Sequence, residues 1–310
     1  MPFVKEKFYV PQTTPAFLFI MRTFNFTQGG AQRLLAKGRL LVNGKSIYNN
    51  GESIEGDIEI VYFKPSPMGE KALFHNKDFM IFEKASGTLV HPNTMATPYS
   101  MLDEIRSLAG DHANAVHRID METSGLLLAS KHKNSERFLK GSFEKKLIKK
   151  SYLAWVDGRV NTAFSVEEPI KINNDYSLTK HKVFIAQEGK PSHTDFEPIA
   201  YDSHLDATLL ICYPHTGRTH QIRIHLFHVK HPILGDPIYG TSFASANAYL
   251  EDILSAKERR IATGADRLML HAQTLEFTYR QHFFIESKVD FIQKKALICS
   301  KEERVFNQVK

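Results

Sequence analysis

Asp120 is the residue around which a reaction could be built. It lies in AVHRIDMETSGLLLAS (Ala115 to Ser130), where a polar, charged turn passes into an apolar run. Gly125 releases the backbone into Leu126, Leu127 and Leu128, which reads as a buried strand. A carboxylate at the mouth of such a strand has a fixed rotamer and an open approach, the conditions for nucleophilic or general-base work. A turn cap is the alternative on residue chemistry alone, with the carboxylate accepting from the amides of Glu122 or Thr123. Arg118 precedes Asp120 by two positions and on an extended backbone points the same way. Tyr152 lies in the alternating segment SYLAWV and shares a face with Ala154 and Val156, although strand tyrosines most often serve packing. Arg218 is presented by a Thr216-Gly217 turn after the apolar strand Thr208 to Pro214.

HRIDMETSG closely resembles the HRLD-x-x-TSG signature of the RluA family of RNA pseudouridine synthases, with Ile119 in place of the usual leucine. Five further blocks follow the family's pattern and order: KASGTLVHP (Lys84 to Pro92), KKSYLAWVDG (Lys149 to Gly158), PHTGRTHQIRIHL (Pro214 to Leu226), HPILGDPIYG (His231 to Gly240) and RLMLHAQTLEF (Arg267 to Phe277). The resemblance implies an isomerase that breaks the bond from ribose to nitrogen 1 of uracil, turns the base and rejoins it through carbon 5. It implies Asp120 as the catalytic carboxylate, Arg218 as its ion-pair partner and Tyr152 as the ring stacked on the target base. Arg118 would fill the gap left by a flipped base, and Ile222 is either an apolar wall of the pocket or plain core. Since the same atoms are kept, no cofactor is expected. The expected partner is RNA, ribosomal RNA ahead of transfer RNA, and the chain is expected to act as a monomer. The competing class is a non-catalytic RNA-binding or ribosome-assembly protein on the same fold, against which the joint presence of Asp120, Tyr152 and Arg218 argues.

Two other chemistries fit less well. His215, His220, His225, His228 and His231 cluster in sequence, but none of the recognised zinc spacings occurs, and no metal is expected. Glycoside hydrolysis needs a carboxylate pair, and Glu122, the nearest candidate, reads as solvent-facing.

These residues need elements to hold them. At 310 residues, 42% of them hydrophobic, the chain suits two unequal domains. Residues 1–63 are expected to form a small α/β RNA-binding domain. Helical patterns near Phe17 to Phe24 and Gln28 to Lys37 lead to a hairpin turning at Asn43-Gly44 and a closing strand through Ile58, Ile60 and Tyr62. This segment, AQRLLAKGRLLVNGK above all, resembles the RNA-binding domain named after a ribosomal small-subunit protein, and Arg33, Lys37, Arg39 and Lys45 are its expected phosphate contacts. KPSPMGE (64–70) reads as a linker, 71–300 as the synthase domain and 301–310 as a loosely held polar tail. The fold class expected is α+β, a mixed and largely antiparallel sheet flanked by helices and loops. QIRIHLFHV is assigned to a helix, Asn134 and Ser135 to a helix cap, and Thr241 to Asp266 to a helical insertion offering Arg259 and Arg260 to RNA. Forty Lys plus Arg against 34 Asp plus Glu give a net charge of +6, compatible with a polyanionic partner. Two distant cysteines, no secretory signal and no long apolar run point to a cytoplasmic protein without membrane contact.

Overall fold

The computed structural model describes residues 2–304, which fall into two compact units. The first comprises, of the described residues, 2–70 and 91–107. Its sheet begins with a strand that the sequence patterns do not announce, β1 (Phe3–Pro15), followed by α1 (Ala16–Phe24), α2 (Gln28–Ala36), β2 (Leu40–Val42), β3 (Lys45–Ile47) and β4 (Ser53–Phe63). The strands run in the order β1-β4-β2-β3, all antiparallel. The β2–β3 hairpin turns at Asn43 and Gly44, both at positive φ (49° and 75°), as a two-residue turn matching strand twist requires. Ile20 of α1, Leu34 and Leu35 of α2, and Leu40, Ile58 and Ile60 of the sheet make the core of this unit.

The boundary expected at 64–70 is not a free linker. Ser66 N donates to Asp103 Oδ1 (2.9 Å) and Gly69 N to Glu104 Oε1 (3.1 Å), both carboxylates lying in the first turn of α3 (Met101–Ala109). Arg106 places its guanidinium 5.0 Å from the Phe63 ring centroid. Charge-assisted bonds to backbone amides therefore fasten this stretch to 91–107, so part of the expected synthase domain packs with the first unit.

The second unit comprises 71–90 and, of the described residues, 108–304. Its strands are β5 (Phe74–His75), β6 (Phe79–Lys84), β7 (Asn114–Ala115), β8 (Ser124–Ser130), β9 (Lys149–Asp157), β10 (Phe164–Val166), β11 (Ile170–Ile172), β12 (Val183–Ile185), β13 (Thr194–Asp202), β14 (Ala207–Pro214), β15 (Leu270–Tyr279) and β16 (Gln281–Glu286). The helices are α4 (Lys133–Glu144), α5 (Gln221–His228), α6 (Phe243–Leu250) and α7 (Ala256–Thr263). The main sheet runs β10-β13-β14-β9-β15-β8-β6-β5, with β16 on β15 and β7 on β8, while β11 and β12 pair apart. Every pairing is antiparallel except that of β8 with β15, so the fold is the mixed, largely antiparallel α+β one. That parallel contact depends on Gly125, at φ 108°, where a Cβ would lie 2.3 Å from the Ala272 carbonyl oxygen. Every residue of β8 is buried, as are the last seven of β9, which explains their near-continuous apolar sequences.

Two local expectations change. α4 is capped by His132, ahead of the expected Asn134, and Ser135 completes a reciprocal capping box with it. The tail is anchored at its start: Arg304 is buried, its guanidinium donating to Asp157 Oδ1 (2.8 Å) and to the Leu205 carbonyl. The rest of the expected polar tail, 305–310, lies outside the described residues. Among the described residues no helix is long and apolar enough to cross a membrane.

Candidate active site

Four neighbouring strands build one wall of a cleft. Gly125 on β8, Ala272 on β15, Tyr152 on β9 and Cys212 on β14 stand in register across the sheet. Side chains in one such row point to the same face, as do those two residues away, and that face carries Thr123, Leu270 and Pro214 with Tyr152 into the cleft lining. Its neighbours in that row, Ala272 and Cys212, are both small. Burial pushes the Tyr152 hydroxyl's pKa up, and the Asp120 carboxylate adds to the effect, so the ring is a neutral wall.

Asp120 reaches the cleft from the turn before β8. The turn is closed by backbone, Thr123 N donating to the Asp120 carbonyl (3.1 Å), and the side chain is not consumed as its cap. The preceding strand's loop locks this turn from behind. Lys84 is buried and donates from Nζ to the carbonyls of Ala85, Thr88 and Met121 at 2.8–2.9 Å, while Ser86 Oγ donates to Glu122 O (2.6 Å). An ammonium shared among three carbonyls fixes the residue next to Asp120 without presenting charge to the cleft.

The carboxylate's ion-pair partner is Arg223, not Arg218. Arg223 Nη1 lies 3.2 Å from Asp120 Oδ2, and the same guanidinium forks onto Asp236 through Nε (2.7 Å) and Nη2 (2.8 Å). Its carbon also lies 5.1 Å from the Tyr239 ring centroid. Arg218 instead donates from Nε to the Pro191 carbonyl (3.1 Å) and lines the lip of the cleft. The cause is local: Arg218 sits in the turn before α5, whereas Arg223 lies within α5, where Gln221 to Leu226 are all buried, and its guanidinium reaches Asp120 and Asp236. Both arginines lie in one sequence block, and the start of α5 between them separates their surroundings.

Burial works to raise the Asp120 pKa, but neighbouring cations outweigh it and hold the carboxyl below its usual range. His220 Nε2 is 3.7 Å from Asp120 Oδ2, yet burial and Arg223 push that imidazole down to about 4. In neutral solution His220 is therefore uncharged and Arg223 carries the effect, with Lys182 adding to it. His220 also bonds through Nδ1 to Tyr239 Oη (3.0 Å) and occupies the left-handed region (φ 52°) as the residue before α5. Such a conformation is uncommon outside glycine and marks a position set by its surroundings.

The cleft lining brings together all five side chains singled out for the reaction, Asp120, Tyr152, Arg218, Arg118 and Ile222, and adds His220, Arg223 and Lys150. Arg118 is exposed at the rim, and Ile222 is almost wholly buried while still bordering the cleft. Lys150, at the start of β9, is largely enclosed, and burial lowers its pKa. Glu122 is not solvent-facing: it is buried and accepts from Tyr249 Oη (2.8 Å) and Arg259 Nη2 (2.7 Å). Arg259, expected to meet RNA, is thus spent on tying the α6–α7 insertion to the motif turn, and Arg260 pairs with Asp266 (2.7 Å). Among the described residues the one grouping suited to a metal, His193, Asp195 and His215, lies outside the cleft lining.

Comparison with known proteins identifies the family. Residues 78–228 match the family model described as RNA pseudouridylate synthase. The chain is 38% identical over 292 residues to an uncharacterized RNA pseudouridine synthase of Helicobacter pylori, covering 93% of this chain and 96% of that protein. It is 32% identical over 266 residues to ribosomal large subunit pseudouridine synthase C of Escherichia coli, covering 80% and 79%. The solved human RNA pseudouridylate synthase domain containing 1 shares the fold, with a TM-score of 0.60 at 22% identity over 77% of this chain and 91% of that one. The chain belongs to the RluA family of RNA pseudouridine synthases, and is an isomerase that converts uridine in RNA to pseudouridine.

Proposed function

We propose that Asp120 is the catalytic carboxylate of this isomerisation and that Arg223, rather than Arg218, keeps it ionised and oriented. The observation that carries the reading is the Asp120 to Arg223 contact at 3.2 Å in a cleft walled by Tyr152. The target base must leave its stack, at a cost of a few kcal/mol that phosphate contacts and substitute stacking offset. Tyr152 supplies the replacement stacking surface, and Ile222 and Leu270 close the apolar side so that a detached uracil stays in place. Arg118 and Arg218 at the rim, with Lys150 deeper in, supply the positive charge that meets the flanking phosphates. Two routes use the same carboxylate: attack on the anomeric carbon or base ring, and removal of a ribose proton to give a glycal-like intermediate. Both need it negatively charged, which Arg223 secures.

The substrate proposed is large-subunit ribosomal RNA rather than transfer RNA, on the strength of the Escherichia coli relative's name and coverage. The 1–63 region is proposed to grip RNA through Arg33, Lys37 and Lys45, which are exposed. Arg39 contributes less to that grip, because its guanidinium lies over the Phe3 ring at 4.6 Å and is half-buried. The proposed working form is a monomer, acting in the cytoplasm. Asp120→Asn tests the central claim. It should bind ribosomal RNA and unfold at the wild-type urea concentration while forming no pseudouridine, and retained turnover would reject the assignment. Mapping pseudouridines in RNA from cells lacking the protein identifies the uridine.

A further inference from the structure

We propose that His193, Asp195 and His215 form a binding site for one divalent transition-metal ion of the zinc, nickel or cobalt kind, at the outer end of the β13–β14 hairpin. No step of the isomerisation runs through it, and it stands apart from the assignment of Asp120.

The site is assembled by strand geometry. His193 and Asp195 are separated by one residue at the start of β13, so their side chains share a face. The last ladder pair, Thr194 with Pro214, is followed by His215 N donating to His193 O (3.0 Å), which sets the two histidines side by side across the strands. Their rings stack with centroids 4.3 Å apart, and both turn Nε2 toward the same carboxylate: His193 to Asp195 Oδ1 at 2.9 Å, His215 to Oδ2 at 2.6 Å. One donor atom from each residue lies within 4.8 Å of the other two. Ligands about 2.1 Å from a tetrahedral centre lie roughly 3.4 Å apart, so small side-chain rotations suffice to admit the ion. β10 and the residue after it add two neighbours. Ser165 Oγ donates to Asp195 Oδ1 (2.5 Å), steadying the carboxylate as outer partners of metal ligands do. Glu167 Oε1, 3.8 Å from His193 Nε2, offers a fourth ligand.

The donor set decides the class of ion. Two imidazoles and a carboxylate suit zinc, nickel, cobalt or copper, whereas magnesium and calcium take oxygen shells. The histidines are a third to a half exposed, so an ion has access. The site is also wired to the lip of the cleft. His193 N donates to Thr216 Oγ1 (3.0 Å), Gln221 Nε2 to His193 O (2.9 Å), and Arg218 N to Gln221 Oε1 (3.0 Å). An ion on His215 therefore holds the turn that carries Arg218.

The experiment is equilibrium dialysis and calorimetry of the full-length, chelator-stripped protein with Zn²⁺, together with the visible spectrum of the Co²⁺ form. One equivalent should bind, Co²⁺ should show nitrogen- and oxygen-ligated absorption bands, and Zn²⁺ should raise the melting temperature. His215→Gln and Asp195→Asn should each weaken binding at least about 10-fold and abolish the bands. Should Asp195→Asn fail to fold, His215→Gln decides, since its side chain is half-exposed at a strand end. Absence of saturable binding, or binding unchanged in His215→Gln, overturns the proposal and leaves a carboxylate that merely bridges two imidazoles.

Discussion

Replacing an arginine by lysine keeps the charge and loses the fork, and at Arg223 that distinction decides a reaction. One guanidinium spans Asp236 with two bonds and still reaches Asp120, which a single ammonium cannot do. Arg223→Lys should therefore lower kcat by about 10²-fold, in the range for removing a preorganised donor, and move the acid limb of the pH–rate profile upward as Asp120 loses its partner. Arg218→Ala should leave that limb where it is and act mainly on KM, because Arg218 bonds to a carbonyl at the rim. Single-turnover rates across pH separate the two variants, and an unmoved limb in Arg223→Lys would reassign the partner.

At the scale of elements, the motif turn that carries Asp120 is held from two sides. From the end of β6 and the loop after it, Lys84 and Ser86 bind its carbonyls, and from the α6–α7 insertion, Tyr249 and Arg259 bind the Glu122 carboxylate. The insertion thus has a structural duty toward the site although it carries no family block. Tyr249→Phe removes one hydrogen bond to a buried carboxylate and should cost about 1–3 kcal/mol in urea unfolding. Arg259→Met leaves that carboxylate without its cation and should cost about 3–5 kcal/mol. Unchanged stability in both would mean that the insertion does not brace the turn.

Taken whole, the protein buries neutral imidazoles in its second unit. Burial pushes His117 down to about 3 and His271 to about 4, and His117 Nε2 accepts from Leu128 N (2.9 Å), a bond that protonation destroys. Unfolded histidines titrate near 6.5, so between that value and the folded ones the unfolded chain binds more protons. Stability is then full above about pH 6.5 and falls below it, by about 1.4 kcal/mol per pH unit for each histidine. Glu136 acts in the same sense but lower: burial opposes its ionisation, hydrogen bonds from Lys133, Lys140 and Asn114 prevail, and its pKa drops to about 2. Urea midpoints at pH 7, 6 and 5 isolate the histidines, and a flat series would contradict their buried neutrality. In the first unit, Arg33, Lys37 and Lys45 replaced by alanine together should weaken RNA binding and flatten its salt dependence, by about 0.7–0.9 in log–log slope for each phosphate no longer neutralised. A slope equal to the wild type would remove this face from the RNA contact.

Alternation and apolar runs told where strands lie, a glycine at Gly125 told where one must release, and the six blocks told which reaction the sheet supports. Residues close in sequence were legible because their relation is set by backbone geometry alone: the Asn43-Gly44 hairpin, and the turn of Asp120 leading into β8. β1 was missed because its mixture of charge and aromatics fits an exposed edge strand as well as a loop. What the tertiary structure alone decided were the long-range partners: Arg223 for Asp120, Arg259 for Glu122, His193 for His215. The resemblance points to Arg218 and not to Arg223, since charge has no address until the chain is folded. Only the folded chain puts the Arg223 guanidinium of α5 beside the carboxylate and ties Arg218, in the turn before it, to the Pro191 carbonyl at the rim.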